Sequence, residues 1–416
     1  MPDPASDLPL APYRVLDLTG PPGYLAGRML GDLGADVIKI EPPGGDPSRM
    51  TPPYVGDRPD AERSLPWAAY NASKRGITLD LKAATGRALF MDLVAVADFV
   101  IDSFGGGRLA GLGLAHADLA KMHPALITVA ITPFGSDGPY GDYQATDLVA
   151  MAMGGWVSIT GEDDRPPVRM GGEQAYAQVS LQAATGAMLA HHHRMATGQG
   201  QHVETSMQEA VTNSLLDDQA HWQLSGFVRQ RVGTKALYSP LVAQAVWRCR
   251  DGYVAYRALV GRGAGRSTRA LVAWMGEEDS AGELAGVPFE ELVTYDIQQR
   301  DWDRWEAIIA DFLAGRGKEE LWMEGQRRGI QIFPVNAPAD ILRDPQLEAR
   351  EFWQEFHQPE VGQSVTYLRA PYQATSWPRE IRLPAPQVGQ HNGEVYGGLL
   401  GLNDQAIGRL SRASVI

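Results

Sequence analysis

Strand-like and helix-like patterns of hydrophobic positions alternate along the first 135 residues. β-rich apolar runs occur at residues 14–18, 36–40, 76–81, 99–101 and 125–132. Apolar side chains recur at helical spacing in residues 23–33, 83–97 and 117–123. This alternation predicts a doubly wound, mostly parallel, Rossmann-like α/β sheet. Ligands bind at the carboxyl ends of strands in such sheets. The loops of interest follow Ile40, Leu81, Ile101 and Thr132.

The pattern changes twice after this region. Residues 146–224 are mostly helical in pattern, with one strand at 202–205, and residues 238–256 indicate paired strands around the turn at Asp251. Beyond Pro334 the chain is rich in proline and short strands. We predict a large N-terminal α/β part at 1–225 and a smaller α+β domain at 226–330. Residues 331–416 then return to complete and wrap the large domain.

Composition narrows the classes of function. Of 416 residues, 44% are hydrophobic and 21% are charged, as in ordinary globular proteins. The net charge of −13 argues against nucleic acid as a partner. No apolar run is long enough to span a membrane, and residues 1–10 lack a signal-peptide pattern. Cys249 is the only cysteine, so an intrachain disulfide or a cysteine metal cluster is excluded, which fits a cytoplasmic protein.

Asp147 is the strongest candidate for chemistry. It follows a glycine-rich loop after the strand that ends at Thr132, and it opens an apolar helix. An aspartate there often caps its helix and complements the helix dipole. The loop lies, however, at the carboxyl end of a predicted strand, and an apolar setting would leave the carboxylate partly desolvated. Asp147 would then be available as a nucleophile, and the capping interpretation stays open at this point.

A set of short motifs shares its order and spacing with a known family. The motifs are VLDLT (15–19), GDLGADVIKIEPPGGDP (31–47), NASKRGITLDLK (71–82), DSFG (102–105), the segment around Asp147, GQGQHVE (198–204), DPQLEAR (344–350) and GQH (389–391). Over nearly its whole length the chain resembles the class III CoA-transferases (CaiB/BaiF type). That family includes formyl-CoA, carnitine-CoA and benzylsuccinate-CoA transferases.

The resemblance implies a reaction and its partners. CoA would move from an acyl-CoA donor to a carboxylic acid acceptor by ping-pong chemistry, through anhydrides and a thioester between Asp147 and CoA. Coenzyme A would be a substrate, with no metal. The family also implies an interlocked homodimer, or a heteromer with a paralogous subunit, and neither nucleic acid nor a membrane as partner.

The resemblance also assigns positions that contact CoA. These are Leu79, Asp80, Leu81, Lys82, Ser103, Phe104, Gly105, Thr132, Pro133, Phe134 and Gly135. Nearby cations that could meet the phosphates are Arg49, Lys74, Arg75, Lys82 and Arg108, although for each one taken alone an ordinary surface charge is the favoured interpretation. Two arginine positions of formyl-CoA transferase are occupied by Pro42 and Gly111, so Arg108 or Arg49 would have to substitute.

Two other functions stay open. A racemase of the same superfamily would carry histidine in place of Thr146 and a Gly-Asp-Phe-Gly-Gly-like segment where this chain reads GGEQA at 171–175. The chain could also be a non-catalytic, CoA-binding subunit of a heteromeric transferase.

Three smaller features complete the sequence expectations. The glycine-rich residues 261–265 are either a lid or a turn from strand to helix. Three consecutive histidines, 191–193, point about 100° apart on a helix, so they are not expected to share a metal. Residues expected near the acid substrate are Tyr24, Trp156, Met170 and Tyr238, whose character suggests a bulky, aromatic or succinate-derived acid.

Overall fold

The computed structural model describes residues 7–105, 107–238, 240–358 and 362–416. Residues 1–6, which belong to the region predicted to lack a signal peptide, lie outside this description. The chain forms two compact units. Unit 1 comprises Met1–Trp156, Met170–Leu224 and Gln346–Ile416, and unit 2 comprises Val157–Arg169 and Ser225–Pro345.

The strands and helices of the described residues follow in chain order. The strands are β1 (Arg14–Leu18), β2 (Asp36–Glu41), β3 (Lys74–Thr78), β4 (Phe99–Asp102), β5 (Ile127–Thr132), β6 (His202–Ser206), β7 (Lys235–Tyr238), β8 (Leu241–Gln244), β9 (Val246–Cys249), β10 (Gly252–Tyr256), β11 (Ile332–Pro334), β12 (Trp353–Gln358) and β13 (Gln363–Leu368). The α-helices are α1 (Tyr24–Asp32), α2 (Leu65–Tyr70), α3 (Ala84–Val94), α4 (Arg108–Gly111), α5 (His116–Met122), α6 (Asp147–Met153), α7 (Gln174–Thr197), α8 (Met207–Asn213), α9 (Asp218–Ser225), α10 (Gly265–Glu277), α11 (Gln299–Ala314), α12 (Lys318–Arg328), α13 (Pro338–Ile341), α14 (Pro345–Ala349) and α15 (Asp404–Arg412).

Unit 1 is built on a six-stranded sheet in the order β3-β2-β1-β4-β5-β6. All five strand pairings are parallel. The predicted parallel α/β sheet is therefore confirmed. The order in which successive strands are added to the sheet reverses between β1 and β4. At such a reversal a crevice opens outside the carboxyl ends of the strands.

Helices cover both faces of this sheet. On one face α7 packs against β5 and β6, and α1 packs against α7 and the first three strands. The other face buries an apolar cluster that includes Leu16, Ile38, Phe90 and Leu119. Tyr396 and Ile416 belong to the same cluster, so the C-terminal segment contributes directly to the core of unit 1.

The C-terminal segment also covers the outer edge of β3. The Ser73 amide donates to the Leu383 carbonyl at 2.8 Å, and the His391 amide donates to the Gly76 carbonyl at 2.9 Å. These bonds satisfy backbone groups that an edge strand would otherwise leave open to pairing.

Unit 2 has a three-stranded antiparallel sheet in the order β11-β10-β9 and a β7–β8 pair. The predicted turn at Asp251 joins β9 to β10. Its apolar core includes Trp247, Leu271, Trp302 and Phe312. The pairing of Tyr256 with Ile332 carries this unit past residue 330, the limit expected from the sequence for the small domain.

Candidate active site

A cleft of about 510 Å³ opens at the carboxyl ends of β1 to β4. Residues 19–22 after β1 and 79–82 after β3 line it, together with Ser103, Phe104 and Arg108. Seven of the predicted CoA-contact residues thus share one cavity, namely Leu79, Asp80, Leu81, Lys82, Ser103, Phe104 and Arg108. The loop after β1 was not among the predicted ligand-binding loops, although the rule that ligands bind at strand ends applies equally to residues 14–18.

The other predicted contacts after β4 and β5 lie elsewhere. Gly105 and Thr132 line a separate cavity of about 360 Å³, and Arg108 borders both cavities. The Gly135 amide donates to the Thr132 hydroxyl at 2.9 Å, which fixes the turn after β5. Within this turn, which also contains Pro133, the Phe134 ring packs edge-on against Tyr140.

Arg49 is an internal structural residue. Its guanidinium is 1% exposed and binds Glu41 through Nε at 2.6 Å and through Nη2 at 2.8 Å. It also donates to Glu62 and lies over the Trp67 ring at 3.8 Å. Such a group is surrounded by protein partners, so the structure does not support Arg49 as a phosphate contact.

Lys74 and Arg75 are also engaged within the fold. The Lys74 ammonium is fully buried and lies 2.8 Å from Asp17 Oδ2. Burial, only partly offset by Asp17, lowers the pKa of Lys74 to about 8. Arg75 binds Asp36, at the amino end of β2, and Glu394. Lys82 and Arg108 are the predicted cations that are exposed and border the cleft.

The buried carboxylate of Asp17 positions the loop after β1. Asp17 Oδ1 accepts hydrogen bonds from the Thr19 amide at 2.9 Å and from the Thr19 hydroxyl at 2.6 Å. Burial alone would raise the pKa of Asp17, but the nearby ammonium groups of Lys74 and Lys39 lower it below its usual range. Gly20 then donates to Ser103 Oγ at 2.6 Å, which joins the loops after β1 and β4.

Asp147 lies at the start of α6, but its carboxylate serves another helix. The side chain is 5% exposed. Its Oδ1 accepts hydrogen bonds from the Ala175 amide at 2.8 Å and the Tyr176 amide at 3.3 Å, in the first turn of α7. A capping role for Asp147 was the alternative to its predicted role as a nucleophile, and the helix whose amides it accepts begins more than 25 residues further along the chain.

Glu173 is a candidate that the sequence analysis did not select. It is the N-cap residue of α7 and is exposed. It borders a small cavity of about 40 Å³ whose other walls include Tyr24, Trp67 and Tyr70. Burial raises the pKa of the Tyr70 phenol, and the Glu173 and Asp147 carboxylates raise it further. The available signal was a pair of glycines before an acid at the start of a long helical pattern.

The expected acid-binding residues do not form one group within unit 1. Tyr24 is buried and donates or accepts a hydrogen bond with Ser48 at 2.5 Å. Trp156 begins a short 3₁₀-helix, and Met170 is exposed. Tyr238 belongs to unit 2, where it lies beside Trp302 and Arg257.

The remaining motifs are part of local structure. Gly261 and Gly265 form the turn into α10, where the Gly265 amide donates to the Gly261 carbonyl at 2.8 Å. Among the described residues, one group of three potential metal ligands comes together, and it consists of Asp217, Asp218 and His221. Throughout the residues that the structure describes, every helix is too short or too polar to cross a bilayer.

Comparisons with known proteins agree over nearly the whole chain. The model of CoA-transferase family III matches residues 10–392. The chain is 34% identical over 385 residues to succinyl-CoA:(R)-benzylsuccinate CoA-transferase subunit BbsE of Thauera aromatica, covering 92% of both chains. It is 31% identical to the formyl-CoA:oxalate CoA-transferase of Streptomyces avermitilis, covering 97% of this chain and 98% of that one. A CaiB/BaiF family protein from Brucella suis superposes with a TM-score of 0.82 at 28% identity, covering 94% and 99% of the two chains.

Proposed function

The chain belongs to CoA-transferase family III, and on that premise we propose that it moves coenzyme A from an acyl-CoA donor to a carboxylic acid acceptor. CoA occupies the cleft at the carboxyl ends of β1 to β4. Arg108 and Lys82 are its phosphate contacts, because they are the predicted cations that border this cleft and are exposed. They replace Arg49, Lys74 and Arg75, whose charges are engaged inside the fold.

The transfer proceeds through a carboxylate of the protein. This carboxylate attacks the thioester carbonyl of the donor, and the C–S bond breaks to give a mixed anhydride and CoA thiolate. The thiolate attacks the protein-side carbonyl of the anhydride, which releases the donor acid and leaves a protein–CoA thioester. The acceptor carboxylate repeats these two steps in reverse order. Protons and electrons balance without any additional reactant.

One observation favours one of the two carboxylates near the N-terminus of α7. Glu173 is exposed at the edge of an aromatic cavity, whereas Asp147 is 5% exposed and its Oδ1 accepts two backbone N–H groups. An exposed carboxylate at the edge of a cavity can approach the thioester carbon of a bound donor more readily than a buried one. This supports Glu173 as the nucleophile in place of the sequence candidate Asp147.

Covalent trapping tests this assignment. The protein is incubated with succinyl-CoA and then with borohydride, which reduces an enzyme-bound thioester to an alcohol, and the modified residue is identified by peptide mass spectrometry. We expect the modification on Glu173, its loss in Glu173→Gln, and its retention in Asp147→Asn. Modification of Asp147 would restore the sequence assignment, and CoA exchange without any protein modification would exclude the covalent route.

The acid substrates follow from the same cavity. Tyr24, Trp67 and Tyr70 give it aromatic walls. Together with a relative whose name specifies succinyl-CoA and benzylsuccinate, these aromatic walls support a succinate-derived donor and an aromatic acceptor. A matrix of acyl-CoA donors against acid acceptors checks it, and formyl-CoA with oxalate as the fastest pair would contradict it.

A second candidate role is that of one subunit in a heteromeric transferase. The 34% identical relative is named as a subunit, which favours pairing of this chain with a paralogous one over an interlocked homodimer acting alone. In that case the purified chain binds CoA but transfers it only after the paralogue is added. Full activity in a homodimer of twice the chain mass, measured by light scattering with parallel assays, would argue for the homodimer.

A racemase stays the less favoured reaction. Thr146 stands immediately before Asp147, so the proton-transferring histidine expected of a racemase is replaced by a hydroxyl. We expect no exchange of the α-hydrogen when a 2-methylacyl-CoA is incubated in deuterated water. Deuterium uptake without CoA transfer would identify a racemase.

A further inference from the structure

Two carboxylates lie at the start of α7, and the one that caps the helix does not belong to its N-cap residue. An N-cap side chain ordinarily accepts a hydrogen bond from the second or third amide of its own helix. The N-cap residue of α7 is Glu173, and the amides concerned are those of Ala175 and Tyr176. Glu173 makes no side-chain capping bond to them.

Asp147 accepts both of these amides instead. Its Oδ1 lies 2.8 Å from the Ala175 nitrogen and 3.3 Å from the Tyr176 nitrogen. Asp147 is the first residue of α6, so a different element supplies the cap. Its carboxylate also brings negative charge to the positive end of a 24-residue helix, where such charge is stabilising.

We propose that Asp147 is a substitute N-cap that keeps the Glu173 carboxylate directed outward. If the Ala175 and Tyr176 amides lacked this partner, the Glu173 side chain could satisfy them by folding back, because buried or partly buried donors need an acceptor. Because Asp147 already accepts both amides, the Glu173 side chain is not needed to cap α7 and can point outward. The inference rests on the proposed function, within which Asp147 is a positioning residue and Glu173 meets the acyl-CoA.

The surroundings of Glu173 give this orientation a purpose. The outward carboxylate borders the cavity walled by Tyr24, Trp67 and Tyr70. Fixing a nucleophile there shortens the search for a near-attack geometry, and a displacement of about 1 Å can reduce a rate by about 100-fold. Loss of the substitute cap should therefore lower kcat much more than it changes KM for the acyl-CoA.

Four variants test the substitute cap, with hydrogen exchange at the start of α7 as a readout that needs no activity. Asp147→Ala removes the acceptor, Asp147→Asn keeps an oxygen acceptor, and Asn403→Ala removes an unrelated cap, whose Oδ1 accepts the Ala406 amide at 2.9 Å. The double variant D147A/E173S places a good capping side chain at the N-cap position itself.

We expect Asp147→Ala to expose the Ala175 and Tyr176 amides to faster exchange and to lower kcat by about 100-fold. Asp147→Asn should recover kcat to within about tenfold of the natural protein, because the amide oxygen preserves the cap. D147A/E173S should regain amide protection and thermal stability without transfer activity. Asn403→Ala should lower Tm with kcat unchanged.

Each contrary result has a distinct meaning. Unchanged exchange at Ala175 and Tyr176 in Asp147→Ala, or a natural kcat in that variant, overturns the substitute cap. If Asp147→Asn loses activity as completely as Asp147→Ala and borohydride modifies residue 147, Asp147 is the nucleophile and the inference is wrong. If the natural protein transfers no CoA, the proposed function fails, while the exchange measurements still decide whether Asp147 caps α7.

Discussion

Charged side chains around the cleft fall into two physical classes that a sequence does not separate. Arg49 and Lys74 are buried and bound to acids, whereas Arg108 is exposed and lies over the Phe104 ring at 4.9 Å. All three stand near glycine-rich turns or strand ends in the sequence. Only the fold reveals that Glu41 and Asp17 already neutralise the first two.

Substitutions of the two arginines should therefore differ in kind. Arg49→Met leaves Glu41 buried without its cation, so we expect a loss of about 3–5 kcal/mol in unfolding free energy. Arg108→Ala removes the exposed cation that we propose as a phosphate contact, so KM for acyl-CoA should rise about tenfold with little change in stability. Urea unfolding and steady-state kinetics on both variants measure this. An unfolding free energy in Arg49→Met equal to that of the natural protein would contradict the structural role of Arg49. An unchanged KM in Arg108→Ala would contradict the proposed phosphate contact.

Asp102 makes the unfolding free energy depend on pH. Burial raises its pKa from 3.8 to about 6, despite the hydrogen bond from the Phe104 amide, and Glu204 adds to the shift. Because the folded state holds this proton more tightly than the unfolded chain, Asp102 lowers unfolding free energy as pH rises from 3.8 to about 6. Asp102→Asn removes this loss and should gain up to about 3 kcal/mol at pH 7.5 relative to the natural protein.

The control is the same comparison near pH 3.5, where Asp102 is protonated in the folded protein and the gain should largely disappear. Asparagine can still accept the Phe104 amide through its side-chain oxygen, so the hydrogen bond is preserved. A gain of equal size at both pH values would mean that the substitution acts through packing and not through the proton.

The contacts of Asp147 could be predicted only in part from the sequence. Local sequence was enough to place an acid at a helix start, and the structure has Asp147 as the first residue of α6. Its hydrogen-bond donors, however, belong to Ala175 and Tyr176 in α7. A contact across that sequence distance depends on how two helices pack, which hydrophobic spacing does not encode.

At the scale of elements, β1 and α1 approach each other closely at Gly27. A Cβ atom at this position would lie 2.2 Å from Asp17 Oδ2 and 3.0 Å from the Lys74 ammonium. These groups are buried and bound to each other, so they have little room to give way. The glycine is therefore required by the packing of helix on strand.

Gly27→Ala should displace α1 and lower the unfolding free energy by about 1–3 kcal/mol. Gly111→Ala is the matched control, because Gly111 is helical and a Cβ there would meet nothing within 4 Å. That control should be neutral or stabilising by up to about 1 kcal/mol. Equal losses in the two variants would show that the close approach is not the cause.

Elements with strong apolar periodicity were predictable. β1 has the predicted bounds 14–18, and the strand predicted at 202–205 is β6, His202–Ser206. The strand predicted at 76–81 is instead β3, Lys74–Thr78. Its bounds depend on pairing with β2, and residues 79–82 continue as a cleft-lining loop although their alternation of apolar and charged side chains is typical of a strand.

At the scale of the whole molecule, the parallel sheet was predictable but the division of the chain was not. Alternating strands and helices specify a doubly wound sheet on general grounds. The assignment of Val157–Arg169 to unit 2 interrupts the N-terminal part and depends on contacts between distant segments. An example is the Gly233 amide, which donates to the Gly161 carbonyl at 3.0 Å.

The C-terminal cover over the edge of β3 has a consequence for synthesis. Leu383 and His391 supply the partners of Ser73 and Gly76, so the edge stays open until the ribosome has passed both positions. At roughly 5–20 residues per second, a nascent chain spends on the order of 10 s or more with the six-stranded sheet translated but its edge uncovered. During that interval the unpaired backbone groups of β3 are exposed to pairing with other nascent chains, so aggregation in coupled translation should fall once residue 391 has been synthesised.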